Sequence, residues 1–361
     1  MTQHTCTPGI TGRPALAVGE VGLISAAGTA GSPGPLPGVR CADAARGHGE
    51  SLEASAVRYS RFLLLEVPGP WGTSALDGRH LEAGVAAQLA SATKAADVHV
   101  LLIRRTGRHP QASAGTEGRP MAWAIADTTP GAERVLWGSW RESADLLGLD
   151  LTARLPATAH ATGPQRLALV CTNGKRDQCC ALRGRPVAAA IANATDWDTW
   201  ECSHLGGHRF AATIMLLPTG DMFGWLDQES GVEVTQRFGA GQIVMSHHRG
   251  RCGQPEPVQA ALHAAALRLG DFRRGAVRAA LARSFQPDQD GGRTERAADD
   301  QAADNAVRWE VEVIHEAGTG REASYRVVVA GSRVEPTFLS CGDSTPKAET
   351  RYEALFFSRL P

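Results

Sequence analysis

The chain has 361 residues, 43% of them hydrophobic, and a formal net charge of −1 from 37 basic and 38 acidic side chains. That length suits two domains with a sizeable core, and the even charge balance argues against the basic footprint of a nucleic-acid binder. No apolar run approaches the ~20 residues of a membrane span, and no charged segment precedes an apolar stretch at the N-terminus, so neither an anchor nor a signal peptide is expected.

Residues 1–50 are rich in Gly, Pro, Ala and Thr and read as a mostly disordered extension, with folded sequence from near Arg58. Residues 51–155 read as an α/β half. Phe62 to Val67 has the pattern of a buried strand, stopped by Pro68-Gly69-Pro70, and Leu81 to Ala96 has helical composition. Val98 to Arg104 reads as a second buried strand. Met121 to Ala126 and Val135 to Trp140 suit a strand pair turned at Pro130-Gly131.

The pattern restarts in residues 156–285. Leu167 to Val170 reads as a strand running into Cys171. Arg185 to Ala194 suits a helix with Pro186 in its first turn. Phe210 to Leu217 and Met222 to Leu226 suggest a hairpin, and Val258 to Leu269 a helix. Strand, loop, helix, strand, hairpin and helix is the order of a thioredoxin-like unit. The similar order in 51–155 admits two thioredoxin-like halves. Residues 286–305 are polar and charge-rich and read as a linker. Trp309 to Ile314 and Ser324 to Val329 alternate like a hairpin, which makes 306–361 a small β-rich module. The expected fold class is therefore α/β, thioredoxin-like, with that module at the C-terminus.

The chain has eight cysteines, too few for a disulfide scaffold of this length, and four of them crowd into residues 171–202. Cys171 and Cys180 bracket the loop Thr-Asn-Gly-Lys-Arg-Asp-Gln-Cys179, and His204 and His208 follow with Gly206 and Gly207 between them. Soft thiolates at both ends of one loop suit a soft metal or an iron–sulfur cluster. Imidazoles at the His204–His208 spacing can converge on one metal, and glycine lets backbone approach a bulky cofactor. Two Cys and two His fit a tetrahedral zinc or a [2Fe–2S] cluster with His on one iron. The wide first pair favours the cluster; zinc and thiol redox chemistry stay open.

At these residues the sequence resembles the sucrase/ferredoxin-like family. The resemblance rests on the Cys171–Cys180 loop with Gly174-Lys-Arg-Asp177 inside it, and on Trp200-Glu-Cys-Ser-His204-Leu-Gly-Gly-His208-Arg-Phe-Ala211. Phe62-Leu-Leu-Leu-Glu-Val67-Pro-Gly-Pro-Trp-Gly72 adds to it, with Arg237 to Met245 and Arg249-Gly-Arg251 as lesser matches. It implies a thioredoxin-like [2Fe–2S] ferredoxin in which Cys171 and Cys180 ligate one iron and His204 and His208 the other. Cys179 and Cys202 could substitute as ligands, though the simpler reading is small buried thiols. His247 and His248 are expected in a surface loop, and Cys6, Cys41, Cys252 and Cys341 are expected to be scattered and inert.

The expected function is electron transfer by a cytoplasmic carrier served by a separate redox partner or reductase, with no nucleic acid and no membrane. The alternatives are a zinc-stapled binding module, or a thioredoxin-like oxidoreductase, for which the chain lacks a Cys-x-x-Cys. Sucrase chemistry would need two carboxyl groups flanking a bond; Asp221, Asp227 and Glu229 are nearby but are read as solvated. Arg176 and Asp177 are expected to pair within the loop, and Arg209 to solubilise its face.

Overall fold

The strand segments that read as unbroken apolar runs are buried on both faces, as parallel strands covered on two sides must be. In the computed structural model, which describes residues 39–107, 119–152, 163–285 and 307–361, β1 (Arg61–Glu66) pairs in parallel with β2 (Val98–Arg105). The crossover is helix α2 (Ala83–Ala95), seated on Leu63, Leu65 and Leu102. Strand β3 (Met121–Asp127) lies antiparallel to β1, and β4 (Arg134–Trp140) antiparallel to β3.

The second half repeats this order. Strand β5 (Leu167–Cys171) runs parallel to β6 (Asp198–Cys202) across helix α3 (Gln178–Ala194). Strand β7 (Ile214–Leu217) is antiparallel to β5, and β8 (Asp221–Phe223) antiparallel to β7. The halves join where β2 meets β6 antiparallel, and β9 (His248–Arg251) extends the far edge. One mixed nine-stranded sheet results, in the order β4-β3-β1-β2-β6-β5-β7-β8-β9. Alternate residues of its strands, Phe62, Leu101, Leu169, Trp200 and Met215 among them, form one apolar cluster that crosses the seam.

Helix α4 (Gln228–Gly239) packs with α3 on Ala168, Val170 and Ile214. A separate antiparallel sheet follows: β10 (Val277–Phe285), β11 (Arg308–Glu316), β12 (Glu322–Thr337) and β13 (Lys347–Arg359). Helix α5 (Glu256–Leu269) lays Val258, Ala261 and Ala265 against Val311, Val313, Val327 and Val329 of that sheet. The hairpin expected at 309–329 is present as β11 and β12, but β10, read within 156–285, is the first strand of the module.

Two further expectations are corrected. Folded structure begins well before Arg58: Cys41–Gly47 is a short helix, α1, burying Cys41, Ala42 and Ala45. The Gly- and Pro-rich composition of 1–50 hid this one turn-and-a-half of Ala-rich sequence. Residues 1–38 and the linker at 286–305 lie outside the described residues. Helix α3 begins at Gln178 rather than Arg185, because Asp177 caps it by accepting the Cys179 N–H at 2.8 Å. Pro186 therefore sits in the helix interior and offers no N–H to the carbonyl four residues earlier. Among the described residues no helix is long and apolar enough to cross a membrane.

Candidate metal centre

The loop after β5 is held from several sides. The Cys171 N–H donates to the Thr213 carbonyl and the Thr172 N–H to the Cys202 carbonyl, each at 3.1 Å. The Asn173 amide donates to the Gly72 carbonyl at 2.8 Å, which ties the Pro-Gly-Pro-Trp-Gly segment of the first half to this loop. Thr172 Oγ1 donates to Glu201 at 2.9 Å, and Arg104 holds the same carboxylate at 2.7 Å while lying over the Trp71 ring. Trp71 and Trp200 are buried core aromatics. Gly184 of α3 packs on the end of β5: a Cβ there would stand 2.1 Å from the Cys171 carbonyl oxygen.

Cys180, in the first turn of α3, is thus carried back over Cys171. The structure brings together all four side chains singled out in the sequence. Cys180 Sγ lies 3.4 Å from His208 Nδ1, the His204 and His208 rings stack at 4.3 Å, and Cys171 is in contact with both Cys180 and His204. Cys171, Cys180 and His208 are buried and His204 is half-buried. The Gly206 N–H donates to His204 Nδ1 at 3.3 Å.

The electrostatics suit metal ligation. Donation from the Cys180 thiol holds Cys171 well below the usual thiol range despite its full burial, with His204 and the Leu205 N–H adding to it. The same pairing and burial push Cys180 up. Burial, and then its neighbour His204, lower His208 to about 4, so its imidazole is neutral at pH 7. Facing these thiols is a buried guanidinium. Arg249 is lowered to about 9 by burial, and donates to the Gly206 and Ser55 carbonyls at 3.1 and 2.5 Å.

Gly206 and Gly207 adopt φ of +80° and +71°, and a Cβ on Gly207 would stand 2.5 Å from Arg249 Nη2. This conformation and packing require glycine whether or not a cofactor comes near. Arg249 and Gly184 were not recognised from the chain, although Arg249-Gly-Arg251 was among the lesser matches. His99 was missed too. It reaches the His204 backbone from β2, stacks on Tyr59 at 4.5 Å, and is lowered by its burial. A cavity of about 500 Å³ opens beside His204, lined by Tyr59, Lys94, His99, Asn173 and Arg176.

Several readings of neighbouring residues change. Cys202 is a fully buried thiol raised by burial, as the simpler reading had it. Cys179 does not face Cys180's partners. Its sulfur lies 3.6 Å from Cys41 Sγ and 3.5 Å from Cys341 Sγ, so Cys41 and Cys341 are not scattered. These three thiols and Asp177 form a group that could hold a metal ion. Cys252 is isolated from them, buried against Thr128, and Cys6 lies outside the described residues.

Asp177 caps α3 and binds residues 340–341 rather than pairing with Arg176. Arg209 does not solubilise a surface; it is buried and joins Glu50 to Glu349. His248 is buried with its Nε2 3.1 Å from Asp221, and Asp221 is itself buried, so neither is a solvated residue. His247 is half-buried, within 3.0 Å of the Gly224 carbonyl. Asp227 is the N-cap of α4, which accounts for it without catalysis.

The large mixed sheet and the separate antiparallel β module make this a mixed α/β protein, and Cys41, Asp177, Cys179 and Cys341 form a group that could hold a metal ion. The family model described as sucrase/ferredoxin-like matches residues 52–250, more than half of the chain, and the chain belongs to that family. No curated protein and no solved structure gives a significant match.

Proposed function

We propose that the chain is an electron-transfer protein whose Cys171, Cys180, His204 and His208 hold a [2Fe–2S] cluster. The observation that carries this reading is the convergence of two thiols and two imidazoles, with Cys171 and Cys180 in mutual contact, the His204 and His208 rings stacked, and Cys180 Sγ 3.4 Å from His208 Nδ1. A sulfur pair beside a nitrogen pair supports one iron ligated by each. The repeated strand order supports a thioredoxin-like reading of both halves, with the site in the loop between β5 and α3 of the second.

When bound, such a cluster supplies one-electron chemistry at a potential above that of an all-thiolate cluster, in the region of Rieske centres (about −150 to +300 mV) rather than plant-type ferredoxins (about −400 mV). The residues do the rest. Burial keeps His208 neutral and able to ligate. The Arg249 cation faces the thiolates and offsets their charge. The partial exposure of His204 gives electrons and protons a route at the same edge, so the midpoint potential is expected to fall as pH rises through the imidazole pKa values. A separate reductase would dock over that edge, in a reducing compartment such as the cytoplasm.

The test is anaerobic purification followed by a visible spectrum and counts of iron, sulfide and zinc. Two irons and two sulfides per chain with visible absorption are expected. A colourless chain with zinc at these four residues would overturn the reading, and so would an iron centre unaffected by His208→Ala.

A further inference from the structure

We propose that Cys41, Cys179, Cys341 and Asp177 form a second, structural metal site that takes one zinc ion and clamps α1 and the β12–β13 connection to α3. The site is separate from the first, although Cys179 and Cys180 are adjacent. Cys180 faces Cys171 and His208, whereas Cys179 faces Cys41 and Cys341.

The sulfur–sulfur distances and the distance from Cys41 to Asp177 are those a tetrahedral zinc site requires. The three sulfurs stand 3.6, 3.5 and 3.5 Å apart, a nearly equilateral triangle. Zinc–sulfur bonds of ~2.3 Å in tetrahedral geometry place sulfurs about 3.8 Å apart, and put a ligating carboxylate oxygen about 3.5 Å from each sulfur. The Asp177 oxygens lie 3.6 and 3.7 Å from Cys41 Sγ, and all four ligand atoms lie within 4.8 Å of one another. A disulfide would use two of the thiols and strand the third. Only a central ion uses all three.

The surroundings are those of a ligand shell. Cys41, Cys179 and Asp177 are buried, at 3%, 0% and 3% exposure, and only Cys341 reaches solvent. Asp177 is oriented by the Cys179 and Cys341 N–H groups, each at 2.8 Å, and by the Ser340 hydroxyl at 2.9 Å. The Cys41 N–H donates to Cys341 Sγ at 3.4 Å. Donors of this kind, bonded to the ligating atoms, fix them in place. The carboxylate is therefore already ionised and oriented toward the three thiols. Three sulfurs select a thiophilic ion, and four protein donors leave no open position, which marks a structural rather than a catalytic zinc.

Each thiol gives up its proton on binding, three per zinc, and the carboxylate binds as it is. The ligands come from α1, from the first turn of α3 and from the β12–β13 connection. Binding energy therefore becomes energy for holding those parts together. The same seam is already laced by Arg209 between Glu50 and Glu349, and by Arg183 on Asp43.

The experiment counts zinc and iron separately in the full chain, in Cys41→Ser and in Cys341→Ser; the exposed Cys341 makes the latter the variant least at risk of misfolding. About one zinc per chain is expected in the wild type, falling to near zero in both variants while iron and the visible spectrum persist. In the wild type, a strong chelator should remove this zinc and lower the melting temperature. Cobalt added back should give the absorption of a tetrahedral thiolate centre, and Cys341→Ser should not. The site is disproved by wild-type protein without zinc whose three thiols titrate freely, by zinc content unchanged in Cys341→Ser, or by a Cys41–Cys179 disulfide in protein as isolated. Iron without zinc would sink this site and leave the electron-transfer reading intact, and zinc without iron would do the reverse.

Discussion

The two halves of the large sheet share one strand order and differ in what their crossover loops carry. Between β1 and α2 the chain places Pro68 to Trp71 and no cysteine; β5 ends on Cys171 and α3 carries Cys180 in its first turn. The backbone plan is thus not what makes a site. The first half supplies bracing instead: Gly72 receives the Asn173 amide, Arg104 holds Glu201 across the β2–β6 seam, and His99 backs His204. The second half carries the candidate donors and the first half braces them.

The largest effect should come from cutting that support. Arg104 and Glu201 are an ion pair with side chains 9% and 5% exposed. Glu201→Ala leaves the Arg104 cation buried and frees Thr172 beside Cys171. A loss of about 3–5 kcal/mol in urea unfolding is expected. The control is an exposed ion pair of the first half, Arg79 on Asp77, with side chains 65% and 21% exposed. Arg79→Ala should cost no more than about 1 kcal/mol. Equal losses would mean that the seam is no more than another surface.

Acid should discriminate the halves next. His208 in the second half is lowered to about 4 by burial, below the ~6.5 of an unfolded imidazole. The unfolded chain therefore takes up this proton first as pH falls. Stability is intact above about pH 6.5, declines between 6.5 and 4, and is then lower by about 3 kcal/mol from this residue alone. His99 in the first half is lowered in the same direction. Urea midpoints at pH 7 and pH 4.5 on chelator-treated protein measure the decline. It should flatten more in His208→Gln than in His99→Gln if the strain sits in the ligand loops, and equally if the seam as a whole carries it.

How much of this could be read from the chain follows from distance along it. The Cys171, Cys180, His204 and His208 set falls within one strand–helix–strand repeat and the loop that follows it, so its spacing made it a candidate, and the family resemblance singled it out. The strands were legible because burial on both faces leaves no polar interruptions, as in Phe62 to Leu65. Cys41, Cys179 and Cys341 were illegible, because nothing in their spacing indicates that a one-and-a-half-turn helix and a loop in the last module meet over Asp177. Arg249 was illegible for a different reason: a buried guanidinium looks like any surface arginine until the left-handed Gly207 beneath it is known. The early start of α3 was hidden by Pro186, which normally marks a first turn, and was set by the Asp177 cap instead.

The smallest effects test the comparison at its finest grain, in the two crossover helices. Gly184 in α3 has no room: an added Cβ would meet the Cys171 carbonyl at 2.1 Å, a backbone atom that cannot swing aside. Gly184→Ala should cost about 1–3 kcal/mol by overpacking, and it should disturb the absorption of the proposed cluster, because the displaced atom belongs to Cys171, one of its proposed ligands. Gly84 in α2 has nothing within 4 Å of its added Cβ. Gly84→Ala should gain about 0.5 kcal/mol from helix propensity alone and leave the spectrum untouched. The same substitution in two matched helices then carries opposite signs, because only α3 must press its backbone against the strand end that presents Cys171. A loss at both glycines would show that α2, too, is pressed against a site.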